Sequence, residues 1–223
     1  MNNRLYKICS YITEGLGVID VGTDHGYLPI ELCQRGYIGN IIAADINEDP
    51  LNKAIKAAKS AGFSDRISFL LCDGLEKCDS SIIDRIVIAG MGGDTICGIL
   101  ERTKWCKDNR YTLHLQPMSK PEVLRKWLVD NGFQIIAEDM VVDNDTIYQI
   151  ISARFGEVCL LNEAQLYIGL KELHSDLALY EDYRQQLVRR FKRAVEGMSG
   201  AESRDMSQKI EECKTILQQL ERI

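Results

Sequence analysis

A chain of 223 residues, 45% apolar and with a formal net charge of −6, is long enough for one substantial α/β core plus an appendage. The acidic balance argues against indiscriminate polyanion binding but leaves room for a local basic patch. No stretch approaches the length of a membrane span, and the start MNNRLYKICSYITEG lacks a signal peptide's apolar segment and cleavage site, so a cytoplasmic protein with no membrane contact is expected.

Arg4 and Lys7 lie on a predicted N-terminal helix. From residue 16 to about 155, short β-branched runs alternate with helical stretches, the pattern of a mostly parallel sheet covered by helices. The predicted strands are GVIDV (17–21), IIAADI (41–46), ISFLLC (67–72), RIVIAG (85–90) and TLHLQP (112–117), with helices over 26–36, 48–61, 93–104 and 119–131. Continuous apolar runs such as RIVIAG suit strands buried on both faces. After Gly132, FQIIAEDMVVDNDTIYQIISARF carries two β-rich runs around the turn-forming cluster DND, which predicts an antiparallel hairpin and brings the sheet to seven strands.

The last third follows heptad spacing: Leu166, Leu170, Leu173, Leu177, Tyr180, Leu187, Phe191 and Ala194, interrupted by Arg184, then Met206, Ile210, Cys213, Leu217 and Leu220. Gly197 and Gly200 are placed to stop the first helix and Ser203 to cap the second. Residues 1–157 are therefore expected to form the sheet domain, and 158–223 an antiparallel helical hairpin whose apolar seam packs within the chain rather than against a second copy. No obligate protein partner is expected. Arg189, Arg190, Lys192 and Arg193 place four cations in five residues. Such a cluster is usually a solvated face, but on an appended helix it is a candidate nucleic-acid contact.

Eight scattered cysteines form no CxxC and have no nearby histidine pair, so neither a zinc site nor a disulfide framework is expected. His114 reads as a strand residue and His174 as a helix-surface residue.

VIDVGTDHGYLPIEL at 18–32 breaks from a strand into Gly22, Thr23, Asp24, His25 and Gly26. In place of the middle glycine of a dinucleotide turn stands Asp24, whose carboxylate would repel a pyrophosphate and favour a cofactor that is cationic there. S-adenosylmethionine, with its sulfonium and ammonium groups and no phosphate, suits that site. Asp45 lies 23 residues beyond Gly22, at the strand end that conventionally meets a ribose diol. Asp73, after the third strand, is placed to accept from an adenine amino group. AGMGG at 89–93 permits close backbone approach, although a tight turn explains any one of its glycines equally well. Gln116 ends the fifth strand at the same edge and is a candidate base contact. An Asp24–His25 hydrolytic dyad carries little weight: G-x-S-x-G is absent, and adjacent side chains seldom meet.

DVGTDHGYLPIEL, AADINEDPLNKA, CDGLE, IAGMGGDTICGIL, LQPMSKPEVLRKWLVDNGF and DNDTIYQII together resemble the bacterial tRNA (adenine-22 N1)-methyltransferase family, in order over roughly residues 4–155. The resemblance implies a class I, Rossmann-like methyltransferase sheet with a helical C-terminal extension. It also implies S-adenosylmethionine as donor and N1 of an adenine on the D-arm side of tRNA as acceptor, with no metal. By position, Gly22 and Asp24 would line the methionine end, Asp45 the ribose hydroxyls, and Asp73 with Gly74 the adenine; Asp20, Thr23, Ile46, Ala89, Gly90, Met91 and Gly92 are further expected donor contacts. Gly90, Met91, Gly92 and Gly93 stand where other amino-methyltransferases carry an Asn-Pro-Pro-Tyr clamp, which this chain lacks. Asp24, with His25 and Tyr27 shaping the base pocket, is the candidate catalytic group, and its alternative role is binding the donor's ammonium. Arg4, Lys7, Gln116 and the 189–193 cluster are the candidate RNA contacts. A nucleotide-dependent oxidoreductase and a non-catalytic RNA-binding protein on the same fold are the competing readings.

Overall fold

The computed structural model describes residues 3–198 and 204–223, apart from the side chains of 204–206. Helix α1 (Asn3–Tyr11) leads into β1 (Gly17–Val21), α2 (Tyr27–Gln34), β2 (Asn40–Asp45), α3 (Glu48–Ser60) and β3 (Ile67–Leu71). There follow β4 (Arg85–Gly92), α4 (Gly93–Arg102), β5 (Thr112–Ser119), α5 (Pro121–Asp130) and the strands β6 (Phe133–Asp143) and β7 (Thr146–Phe155). The sheet order is β3-β2-β1-β4-β5-β7-β6: the first five strands are parallel, and β7 runs antiparallel to both its neighbours. Every residue of β1 is buried, which is why it reads as a continuous apolar run, broken only by Asp20.

One face of the sheet packs Ile96, Leu100, Leu124 and Leu128 from α4 and α5 against Ile19, Ile86 and Leu113. The other packs Ile8, Leu28, Leu32 and Ala58 from α1, α2 and α3 against Val18, Ile41 and Val87. Strand order reverses between β1 and β4, and the carboxyl ends of those strands open a crevice there, where ligands bind in sheets of this kind. Because β6 and β7 are antiparallel, their connecting tip, 143–146, projects from that same edge.

The C-terminal part departs from the predicted continuous helix. Helix α6 (Glu163–Ile168) stops at Gly169, a short 3-10 turn spans Lys171–Leu173, and only then does α7 (Leu177–Met198) begin, antiparallel to α8 (Arg204–Leu220). Gly197 lies inside α7 rather than ending it; Gly200, Ser203 and the side chain of Met206 lie outside the described residues. The apolar seam closes within the chain: Tyr180, Leu187, Phe191, Ile216 and Leu220 share a core with Ala164, Ile168 and Met140 of β6. Arg184, the interruption in that seam, donates to the carbonyl of Leu220 at 2.6 Å, satisfying a terminal acceptor of α8.

The break at Gly169 has a single centre. Arg125 of α5 and Glu138 of β6 are both fully buried and paired at 2.7 Å. Arg125 also donates to Gln149 of β7 (2.5 Å) and to the carbonyls of Leu166 (2.9 Å) and Tyr167 (3.4 Å), acceptors that the end of α6 leaves without helical partners. Glu138 in turn accepts from the backbone N–H of Leu170 at 2.8 Å. Gly169 has φ 86°, and a Cβ there would lie 2.2 Å from a Glu138 carboxylate oxygen, so the helix can turn over this ion pair only at a glycine.

The adjacent Asp139 serves the opposite face, accepting from Ser175, from Lys7 (2.9 Å) and from the Tyr11 hydroxyl. Burial opposes its charge, but those hydrogen bonds hold its carboxyl below the usual range. His174, expected on a helix surface, is instead buried in extended backbone beside Glu138, its ring against Tyr180. His114 is buried on β5 as expected, bonded to Ser152 and stacked on Tyr11.

Arg125→Met would strand the Glu138 carboxylate and the α6 carbonyls without a partner. A loss of about 3–5 kcal/mol in unfolding free energy is expected for breaking such a buried pair, measured by urea denaturation against the unaltered chain.

Candidate active site at the sheet switch point

After Val21 the chain turns through Gly22, whose N–H and that of Thr23 both donate to the carbonyl of Ala44, pinning the turn to β2. Gly22 has φ 74°, and a Cβ there would lie 2.3 Å from the terminal methyl of Met91, so the β1 and β4 loops touch across the crevice. Asp24 also adopts a left-handed backbone, φ 48°, sparsely populated for a residue with a side chain and common at functional turns. The N–H of Gly26 closes the turn onto Thr23, and α2 begins at Tyr27.

Two cavities meet at Gly22 and Asp24. The first, about 500 Å³, runs between the turn, the end of β2, the loop after β3 and α4. Asp24, Asp45 and Asp73 line it against one cation, Arg102, with Ile46, Gly74 and Met91 among the apolar and backbone walls. Asp45 is held by the backbone N–H groups of Asn47 (2.9 Å) and Asp24 (3.3 Å), which orient its two oxygens while leaving lone pairs for a diol. Asp73 pairs with Arg102 at 2.9 Å, on the half-exposed rim. Three carboxylates against one guanidinium make this a poor seat for a pyrophosphate and a suitable one for a cationic ligand.

The second cavity, about 220 Å³, is lined by Arg4, Asp20, Thr23, Tyr27, Ala89, Gly90 and Gln116, besides the shared Gly22 and Asp24. Tyr27 is half exposed at its mouth and stacks on His25, ring centroids 5.3 Å apart. Contrary to the expectation for neighbouring residues, His25 Nε2 does approach Asp24 Oδ2, at 3.7 Å, because the left-handed Asp24 folds the two side chains to one side. Asp20 is buried behind the turn. Its burial pushes the carboxyl up to about 7, a rise opposed by the neighbouring Thr23 hydroxyl and reinforced by the nearby Asp45 charge.

Most predicted site residues thus converge, and several do not. Gly92 caps α4 and lines neither cavity. Gln116 is fully buried, its amide committed to Arg4, Gly90 and Pro117. Lys7 is held by Asp139, and Lys192 by Glu221 at 2.9 Å. Arg189, Arg190 and Arg193 do share a surface groove, with Asp145 and Thr146 of the β6–β7 tip and with Tyr183. Not anticipated were Asn47 and Pro50 after β2, and Thr95, Gly98, Ile99 and Arg102 on α4. The last four follow i, i+3, i+4, i+7, one face of a helix, a signal present in the sequence but indistinguishable there from ordinary packing. Among the described residues, no three His, Cys, Asp or Glu side chains gather as a metal site, and no helix is long and apolar enough to cross a membrane.

Residues 1–151 match the protein family described as Methyltransferase domain. Sheet order, switch-point crevice and acid-lined cavity define a class I methyltransferase. The Bacillus subtilis (strain 168) tRNA (adenine(22)-N(1))-methyltransferase is 31% identical over 157 residues, 70% of this chain and 66% of that protein's length. The crystal structure of the B. subtilis m1A22 tRNA methyltransferase TrmK aligns with a TM-score of 0.86 at 27% identity, covering 100% of this chain and 97% of that one. A Streptococcus pneumoniae protein crystallised with S-adenosyl-L-methionine aligns with a TM-score of 0.80 at 32% identity, covering 96% and 98%. The chain belongs to the Methyltransferase domain family and, through the S. pneumoniae structure, which is described as a tRNA (m1A22) methyltransferase, to the bacterial tRNA (adenine-22 N1)-methyltransferases within it.

Between pH 4 and 7 the folded chain retains the Asp20 proton that the unfolded chain has lost, so this group's contribution to stability falls as pH rises from its ordinary 3.8 toward about 7. Asp20→Asn should flatten that part of the stability profile, read as urea midpoints across the interval.

Proposed function

We propose that this chain methylates N1 of adenine 22 in tRNA, using S-adenosylmethionine bound in the larger cavity and the target adenine seated in the smaller one. The observation that carries this reading is the junction at Gly22 and Asp24, residues that line both cavities. The larger cavity's residues fit the donor: Asp45 and Asp73 stand at successive strand ends for a diol and an amino group, and Asp24 faces the end where positive charge belongs. When bound, S-adenosylmethionine supplies an electrophilic methyl group on a sulfonium centre.

Adenine N1 carries an in-plane lone pair, so no group need remove a proton before attack. The protein's part is then chiefly alignment. Tyr27, stacked on His25, offers an aromatic wall at the mouth of the acceptor cavity. As positive charge moves onto the adenine, the Asp24 carboxylate stabilises it from the junction. The same carboxylate also lines the larger cavity, where binding the donor's ammonium is its alternative role, and one measurement separates the two. With Asp24→Asn, turnover should fall at least about 100-fold while donor affinity by calorimetry stays near the unaltered value. Loss of donor binding in parallel would reject the catalytic assignment.

A base on the D-arm side of folded tRNA must be exposed to enter this cavity, so the RNA needs a second hold. We take 1–157 as the catalytic unit and 158–223 as the unit that provides it, through Arg189, Arg190 and Arg193. Their groove adjoins the hairpin tip that projects from the catalytic edge. Lys7 and Lys192, already paired with carboxylates, rank below these three. Acting on tRNA would place the protein in the cytoplasm. Incubation with donor and tRNA transcripts, followed by mass mapping, should find 1-methyladenosine at position 22 alone; a different nucleoside or position would overturn the proposal. Arg189→Gln with Arg193→Gln should raise the KM for tRNA and lower the salt slope of binding by about 0.7–0.9 for each phosphate no longer neutralised, with donor affinity unchanged.

A further inference from the structure

We propose that Arg4 is a positioning residue for the acceptor cavity, holding the Gly90 bulge in place through the side chain of Gln116. The inference rests on reading that cavity as the seat of the adenine.

The pairing of β4 with β5 slips between Ala89 and Met91, which takes Gly90 out of the ladder with φ 78°. Bulges of this kind occur beside active sites, where they re-aim the chain. A bulged N–H that loses its ladder acceptor must find another or destabilise the fold. Gly90 donates to Gln116 Oε1 at 3.2 Å, and both residues line the acceptor cavity.

Gln116 is fully buried, and its amide has two orientations of nearly equal shape. Flipped, it would present Nε2 to the Gly90 N–H, donor against donor. Arg4 decides between them: its Nη1 donates to the same Oε1 at 2.8 Å, and a guanidinium has no acceptor to offer a flipped amide. Gln116 Nε2 is meanwhile drawn to the carbonyl of Pro117 at 2.9 Å.

Arg4 is itself fixed from three directions. Its Nε donates to Asp143 at 3.2 Å, its Nη1 also meets Met118 Sδ at 2.8 Å, and its guanidinium lies 4.6 Å over the Tyr148 ring. With these commitments, and a side chain only 17% exposed, it has little left for an RNA phosphate. It ties α1 and the hairpin tip to the loop that walls the base. A lysine cannot reproduce this fork, since it has neither the planar spread nor the ring stacking.

The test uses the full chain, with kcat, the KM for tRNA and its salt dependence, and donor affinity by calorimetry. Arg4→Gln and Arg4→Lys should each lower kcat about tenfold or more, as misplacement of a reactant does. The KM for tRNA and donor affinity should stay within about twofold, the signature of an interaction that matters in the transition state. Gln116→Ala should cost about as much, and the double variant little more, because the two side chains act as one unit. If Arg4→Gln melts below the assay temperature, Arg4→Lys, which keeps a charge for Asp143, carries the test. A raised KM with a flattened salt slope, rescued by lysine, would make Arg4 a phosphate ligand and overturn the proposal, as would losses that simply add. If the unaltered chain methylates no tRNA adenine, the reading of the cavity fails; if it does and the Arg4 variants keep full kcat, only the relay is wrong.

Discussion

The buried pair of Arg125 and Glu138 fixes the arrangement on which the rest depends. Neither charge is tolerable in the core alone, and each binds backbone that ordinary secondary structure leaves over: the last carbonyls of α6 on one side, the N–H of Leu170 on the other. The pair therefore locks α5, β6, β7 and α6 together, and the remainder of the C-terminal hairpin follows from where α6 is stopped. Without that stop, the heptad seam could run on as one long helix, away from the sheet. With it, α7 returns across the β6–β7 hairpin, so that Arg189, Arg190 and Arg193 border the tip that projects from the catalytic edge.

The site itself follows from the sheet order. Between β1 and β4 the connections diverge, leaving a crevice that no helix fills. Into it come the ends of three strands, each bearing an aspartate, and two glycine-containing loops that touch through Gly22 and Met91. The carboxylates do not all have the same work. Asp20 sits behind the turn, where burial favours its neutral form, whereas Asp24 is exposed at the junction and Asp45 is oriented by two backbone donors. One type of side chain thus stands in the core, at the junction and on the cavity wall according to its solvation.

The smaller cavity is held by a different device. A register slip at Gly90 gives the loop its shape, and the unpaired N–H it creates is met by a buried amide and, behind it, an arginine from the first helix. Arg4 also meets Asp143 at the hairpin tip, so the wall of the smaller cavity and the approach to the arginine groove share one ion pair. The smaller cavity and the arginine-lined groove lie along a single edge.

How much of this was legible in the sequence follows from the range of the interactions concerned. Strand and helix order, the terminal hairpin and the acidic strand ends are local matters of periodicity and turn chemistry, and all of them could be read directly; so could Asp24 in a glycine turn, whose charge excludes a phosphate. The interruption at Gly169 could not, because its cause is the carboxylate of Glu138, on a strand well before it in the chain, and a leucine repeat looks the same on either side of it. For the same reason His174 looked like a surface residue and Arg4 like a free cation: burial and pairing are made by partners brought together only when the chain folds. The sequence by itself determined the class of sheet and the chemistry its edge could offer. The tertiary structure decided which charges remained available, since a side chain's role depends on what desolvates it and what it must hold in place.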